Sequence, residues 1–595
     1  MNRRTMLQRA AATPLALSAP WIAGAAPPIH RPRPGQPGWP EEAQWEGLKR
    51  AVGGRLLQPL SPYGPCLQNA RSAECAARIP LLRNPFFLGD QPGGTEVSGW
   101  LGAWTPHPSA YAIAAENAAD IAAGVDFARR HNLRLVVKGG AHSYQGTSNA
   151  PDSLLIWTRP MNRVELVDAF VPAGCAGKTA PRPAVKVDSG AMWIDVYHAV
   201  TTIGGRYAQG GGCTTVGVAG HVQSGGFGSW SKGFGLAAGS LLEAEVVTAD
   251  GRIRLVNACQ DPDLFWALKG GGGGSFGVVT RLTLATHDLP ATFGWAEIDI
   301  KAGSDAAYRR LIEDFMAFFG EALRNPHWGE QAHFKPDNTL SVTMVSQGLD
   351  GTTANDVWRP FLAHVGADAD LKIRKRPEIG AAPARGWWDV EARRKAGSSD
   401  MVYDDRPGSP PWHGWWKGDG DQASAFLYGY DSVWLPASLL ASDRRGRLSD
   451  ALFAASRHFE VGLHFNKGLA GAGEETLAAA RDTAMNPAAV DAFALAIIAT
   501  GGAPPLPGAP LIAKARADAA AIDAATAELA KVVGNPGSYV AESNYFNRRW
   551  ADAFWGQNYP RLQSIKARYD PTGLFFVRHQ AGSEAWSDDG FTRLA

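Results

Sequence analysis

The spacing of apolar residues changes along the chain, and each change marks an element. AYAIAAENAADIAAGVDFARRHN, from Ala110 to Asn132, carries apolar positions at helical spacing and runs into the β-rich LRLVVKGG. SLLIWTRPMNRVELVD reads as strand and turn, and AVKVDSGAMWIDVYHAVTTIG as a strand followed by a helix. LLEAEVVTADGRIRLV predicts a hairpin that turns at Asp250-Gly251, DPDLFWALKG a helix, and FGVVTRLTLAT a closing strand. Then GWAEIDIKA, DAAYRRLIEDFMAFFGEAL, HWGEQAHFKPDNTLSVTMVSQG and ANDVWRPFLAHV read β, α, ββ, α, a separate sheet covered on one face by helices. Residues 26–75 are rich in Pro and Gly and are expected to be extended or wrapped over the surface. Residues 386–434 form a long irregular insert dense in Trp, Gly, Pro and Asp. Loops of this length are functional or disordered, and the aromatic density argues against disorder.

With 595 residues the chain has room for more than one domain. A formal net charge of +1 gives no electrostatic footprint for nucleic acid or an anionic membrane. No stretch beyond the N-terminus reaches the ~20 uninterrupted apolar residues of a membrane span. At the N-terminus, Arg3 and Arg4 precede the apolar AAATPLALSAPWIAGA, and Ala23-Gly24-Ala25 offers a small-residue cleavage site. This is the pattern of an export signal, and the paired arginines point to the twin-arginine type over an ordinary secretory one. Met6 and Gln8 depart from the usual Phe and Lys. The expected mature protein is periplasmic or secreted. Five cysteines leave one over in an oxidising compartment. Cys66 and Cys75 lie close enough in sequence to close a short loop; if Cys213 has another task, the other four can form two bridges.

Three glycine-rich turns carry the candidate chemistry. GGGGGSFG contains Gly272-x-Gly274-x-x-Gly277, a formal match to the dinucleotide fingerprint. That fingerprint needs a strand before it and a helix after it. Here the order is reversed, so a Rossmann site is rejected. In VVKGGAHSYQG, Val136 to Gly146, a strand ends in glycines whose N–H groups are open to a phosphate. A tight turn with a surface histidine fits the same residues. In GGCTTVGVAGHVQSGGFG, Gly211 to Gly228, the glycines let the backbone lie flat against a planar ligand, and Cys213 has no neighbours that would bury it as core.

KGGAHSYQG resembles the R-S-G-G-H-S-Y-x-G segment of the berberine-bridge-enzyme-like flavoproteins, and the Cys213 motif resembles their G-x-C-P-T-V-G-x-G-G-H-x-x-G-G-G-[FY]-G. DPDLFWALKGGGGGSFGVVT and FWGQNYPRLQSIKARYDPTGLFF match their two later signatures, in the same order. Ala141 stands where the family has Gly, and Thr214 where it has Pro. The resemblance implies an α+β fold, with a p-cresol-methylhydroxylase-type FAD-binding domain and an inserted antiparallel-sheet substrate domain covered by helices. The expected organisation is an export signal (1–25), an extended segment (26–75), the first part of the FAD domain (76–288), the substrate domain (289–534) and the return of the FAD domain (535–595).

By resemblance, His142 is joined to the flavin 8α-methyl carbon and Cys213 to flavin C6, giving bicovalent FAD. The thiolate is the form of cysteine that attacks carbon. The expected cofactor-binding set is Lys138, Gly139, Gly140, Ala141, His142, Ser143, Gly146, Cys213, Val216, Gly217, Gly220, His221, Gly225, Gly226, Gly228, Gly277, Val278, Asn558 and Tyr559. No metal site is expected. A small Val at 216 accompanies reaction with O2 in the family, where Leu accompanies dehydrogenases. SNYFN resembles the family's N-Y-x-D stretch, so Tyr545 is the first candidate base, although Asn547 replaces the Asp and Tyr545 also reads as a core aromatic. Asn558 and Tyr559 read as flavin-bordering or structural. Trp387, Trp388, Trp412, Trp415, Trp416 and Trp434 suit either a cleft for sugar or aromatic rings or the packing of loops. The expected function is an exported FAD-dependent oxidase that moves hydride from an alcohol, such as the anomeric carbon of an oligosaccharide, to the flavin, with O2 reduced to H2O2. The rivals are a dehydrogenase with a quinone or protein acceptor and a non-catalytic carbohydrate-binding flavoprotein.

Overall fold

The computed structural model describes residues 29–506, 512–534 and 537–594; the expected export signal lies outside the described residues. Three main sheets organise the chain. The first holds Tyr111–Ala114, Leu154–Trp157 and Leu135–Lys138 in parallel, with Leu56–Leu57 antiparallel at its edge. The helix Ala118–Arg130 covers it, and the Asn117 side chain caps that helix by accepting from the Asp120 N–H at 3.0 Å. Gly124 lets the helix seat closely, since a Cβ there would come within 2.5 Å of the Ile113 side chain. The helical spacing from Ala110 therefore describes two elements. In the strand Tyr111–Ala114 the successive residues Ala112 and Ile113 are both buried, one on each face of the sheet, which removes the alternation that would have marked it as a strand.

The second sheet is antiparallel, in the order Val164–Phe170, Arg182–Asp188, Val278–Ala285, Leu241–Val247, Ile253–Asn257. The predicted hairpin forms its edge. Gly270–Gly277 lies between the helix Pro262–Leu268 and the strand Val278–Ala285, the order that rules out a dinucleotide fingerprint.

The third sheet runs Leu371–Ile373, Thr292–Ala302, Thr339–Gln347, Trp328–Phe334, Val461–His464, Ala492–Gly502, Phe426–Pro436, with Glu378–Pro383 also paired to Thr292–Ala302. All its pairings are antiparallel. The helices Asp305–Phe318, Gly351–Ala367, Ser442–His458 and Ile512–Val533 bury one face in a core that includes Ile298, Ile312, Trp358, Leu452 and Ile522. The predicted β, α, ββ, α order is present from Thr292 to Ala367.

Two expectations need correction. The N-terminal segment is not all extended: Glu42–Ala51 is a helix that buries Trp45 and Leu48 against the first sheet's core. The Trp-rich insert is partly regular, with a helix at Val390–Lys395, paired strands Met401–Tyr403 and Gly414–Trp416, and the start of the long strand Phe426–Pro436. Cys66 pairs with Cys75 and Cys175 with Cys259, and Cys213 is a free thiol.

Candidate functional site

A cavity of about 550 Å³ lies between the glycine turns and the uncovered face of the third sheet. Its inner wall is built where the two turns touch. A Cβ on Gly140 would stand 2.7 Å from the Gly217 nitrogen, and one on Gly217 would stand 2.7 Å from the Gly140 nitrogen. Only glycine at both positions permits this approach. Next to the contact, Ala141 takes φ +68°, the left-handed conformation that favours glycine. The turn where the family carries Gly is kept here by an alanine, at a strain cost.

The contact brings His142 and Cys213 to one cavity. His142 Nε2 bonds the Thr215 hydroxyl at 3.1 Å and lies 3.7 Å from Glu96 Oε2. Burial lowers its pKa to about 4, so the ring is neutral at pH 7. Glu96 is fully buried, and burial raises its pKa to about 8, helped by the charge of Asp419. Cys213 Sγ donates to Asp419 Oδ1 at 3.3 Å. Burial and the neighbouring carboxylates of Asp419 and Glu330 push the thiol well above its ordinary range. Burial raises Asp419 to about 6.

Of the expected cofactor set, Gly139, Gly140, Ala141, His142, Ser143, Cys213, Val216, Gly217, Gly220, His221 and Gly277 line the cavity. Lys138 also lines it, but its ammonium is turned onto the carbonyls of Gln91, Pro92 and Gly94 at 2.9, 2.5 and 3.0 Å. His221 is spent on its own loop, accepting from Trp193 Nε1 at 3.1 Å and bonding the Phe227 carbonyl at 3.0 Å.

The remaining members are corrected. Gly146 faces the Trp104 ring, Gly225 Met485, Gly226 Ala237 and His221, and Gly228 the Gly210 carbonyl; each is a glycine for close packing. Val278 belongs to the core of the first sheet. Asn558 donates to the Met485 carbonyl at 2.7 Å, and the Tyr559 hydroxyl to Glu584 at 2.8 Å. Tyr545 is absent from the cavity wall. Its ring lies 3.8 Å from the Arg578 guanidinium carbon, with Trp100, Phe546 and His579 around it, so that the cavity meets Arg578 and not the phenol.

Sequence reasoning missed the polar wall opposite. Glu330 and Gln331 are consecutive on a strand, yet both line the cavity. A regular pleat would send them to opposite faces. Glu330 breaks the alternation with φ +67°. Its Oε1 accepts from the hydroxyl of Ser229 and from Asn466 Nδ2, while Oε2 has, among the described residues, a 3.4 Å contact with Gln331 Nε2. Lys467 pairs with Glu542 at 2.5 Å, and Tyr144 donates to Gln422 at 2.8 Å. Of the insert tryptophans, Trp387, Trp388 and Trp416 line the cavity. Trp412 stacks on His198, and Trp415 and Trp434 are buried in the core.

This wall fits a flat ring system. Glycines form much of its floor, and a Cβ on Gly220 would meet no described atom outside its own stretch of helix within 4 Å. A neutral imidazole and a thiol stand beside them. Among the described residues, no helix is long and apolar enough to cross a membrane.

Two family models match the sequence: an FAD binding domain over residues 108–257, and the "berberine and berberine like" model over residues 534–581. The FAD-linked oxidoreductase malF of Malbranchea aurantiaca is 29% identical over 583 residues, covering 94% of this chain and 92% of that protein. The VAO-type flavoprotein MtVAO615 from Myceliophthora thermophila superposes with a TM-score of 0.77 at 23% identity, over 95% of this chain and 100% of the other. Glucooligosaccharide oxidase from Acremonium strictum, described with a 6-S-cysteinyl, 8α-N1-histidyl FAD, gives a TM-score of 0.62 at 18% identity, over 82% and 94%.

Proposed function

Because the chain belongs to the berberine-bridge-enzyme-like FAD-linked oxidoreductases of the vanillyl-alcohol-oxidase and p-cresol-methylhydroxylase type, we propose that it is an exported oxidase of alcohols or sugars, with FAD bonded to His142 and Cys213. The observation that carries the reading is the Gly140–Gly217 contact, with a neutral imidazole and a thiol beside it on one cavity. The doubly linked flavin described for glucooligosaccharide oxidase supports it. When bound, FAD supplies a ring that takes a hydride from substrate carbon and yields two electrons to O2, giving H2O2.

The residues of the chain do the rest. Glu330 Oε2 takes the substrate hydroxyl proton as the hydride leaves, while Ser229 and Asn466 hold Oε1 still. The rings of Trp387 and Trp416 and the amides of Gln331 and Gln422 offer stacking and hydrogen bonds suited to a sugar ring. Val216 stands on the wall as the small residue that leaves room for O2. Two disulfides agree with the export expected from Arg3 and Arg4.

An anaerobic screen of alcohols and oligosaccharides for bleaching of the flavin absorbance tests the reading, followed by oxygen consumption on the substrate that bleaches. No bleaching with any alcohol or sugar refutes the substrate class. Bleaching without oxygen uptake refutes the oxidase.

A further inference from the structure

Both neighbours of Cys213 are tied to the Trp-rich insert. Thr214 Oγ1 donates to the Gly414 carbonyl at 2.8 Å, and Trp416 Nε1 donates to the Gly212 carbonyl at 3.2 Å. These bonds bracket Cys213 and fix the register of the turn Lys417–Asp421 above it, which sets Asp419 against the sulfur. Among the described residues the Asp419 carboxylate has one side-chain partner, the thiol. Its second oxygen, Oδ2, is shut off from solvent and has no hydrogen-bond partner among the described residues. A buried carboxylate left half unpaired is costly, and a role in a reaction is one reason for a protein to keep it.

Resting on the bicovalent reading, we propose that Asp419 is the general base of the protein's own modification and takes the Cys213 proton as the sulfur bonds to flavin C6. For each thioether formed, the Cys213 S–H and ring C6–H bonds break and one S–C6 bond forms. The two protons and two electrons released reduce one O2 to H2O2. The need for a base follows from the surroundings: the thiol is held protonated by burial and by the charges of Asp419 and Glu330, against which Lys467 is the opposing cation. Lys467 is itself paired with Glu542, and both ring nitrogens of His221 are engaged. Asp419 feels Glu330 from the third sheet, while Glu96 stands on the histidine side. Its raised pKa makes it a stronger base than an exposed carboxylate, still ionised at neutral pH.

The test is a peptide map of acid-precipitated full-length protein, with flavin counted separately on the His142 and Cys213 peptides. Asp419→Asn is expected to keep flavin on His142, which reports an intact fold, and to carry about tenfold less on Cys213. Incubation of that variant at pH 9.5 is expected to restore the thioether, because hydroxide replaces the missing base. Asp419→Glu, which keeps the carboxylate, is expected to hold more than half of the wild-type thioether, and it decides the matter if the Asn variant does not fold. Wild-type thioether levels in Asp419→Asn at pH 7 overturn the proposal alone. So does a loss in both variants that pH does not reverse. Absence of flavin from Cys213 in the wild type overturns the bicovalent reading and this proposal with it.

Discussion

The two halves of the inner wall hold the same kind of pair, a nucleophile facing a buried carboxyl group, in opposite protonation states. On the histidine side, His142 is neutral above about pH 4 and Glu96 stays protonated up to about pH 8, so at pH 7 their 3.7 Å approach is no ion pair. On the cysteine side, the thiol keeps its proton while Asp419, near 6, is ionised. Burial is the main cause in all four groups, and it acts with opposite consequence on acids and bases. It delivers imidazole in its nucleophilic form and denies the same to a thiol. One half is ready by burial alone, and the other needs a proton acceptor.

The largest effect expected is on cofactor retention. His142→Ala combined with Cys213→Ser should release all flavin into the supernatant on acid precipitation, whereas each single variant should keep its yellow colour through the remaining bond. Complete release from either single variant would break the symmetry of the two anchors. Next is turnover, which the proposed role of Glu330 assigns to the cysteine side, where Glu330 Oε1 would lie 3.4 Å from a Cβ at Gly212. Glu330→Gln should slow anaerobic flavin reduction by ~10²–10⁴ in stopped flow, with both flavin bonds intact. A parent-like rate would move the base elsewhere.

The Glu96 side is sharpened by pH. Its folded pKa of about 8 lies above the ordinary 4.5, so its contribution to stability is complete below pH 4.5 and is lost as pH rises through 8. Tm is expected to fall from pH 5 to pH 8 in the parent and to fall less in Glu96→Gln, as thermal unfolding will record. Parallel curves would mean that Glu96 does not titrate in that window. The smallest effect is at Tyr545: Tyr545→Phe should leave the reductive rate within about twofold, because the phenol is outside the cavity and Arg578 keeps the ring that it covers. A rate loss like that of Glu330→Gln would return the base to the tyrosine.

What the sequence determined by itself was local. Glycine turns, the reversed order around Gly272–Gly277, the hairpin at Asp250-Gly251 and the alternation of the third sheet are written in neighbouring residues, because turn chemistry and side-chain period are properties of short stretches. That His142 and Cys213 line the cavity was legible for the same reason, each framed by its own glycines. The apolar AYAIA was not, since a strand buried on both faces loses its period. Nor were Glu96, Asp419 and Glu330. Asp419 meets Cys213 across 206 residues, and Ser229 meets Glu330 across 101, with no spacing between them to read. Only the tertiary structure decided their placement: it seated the insert on the cysteine turn, rotated Glu330 off its pleat at φ +67°, and turned Tyr545 behind Arg578. A carboxylate is a solvated surface charge until packing removes its water, and that desolvation depends on which distant segments close over it.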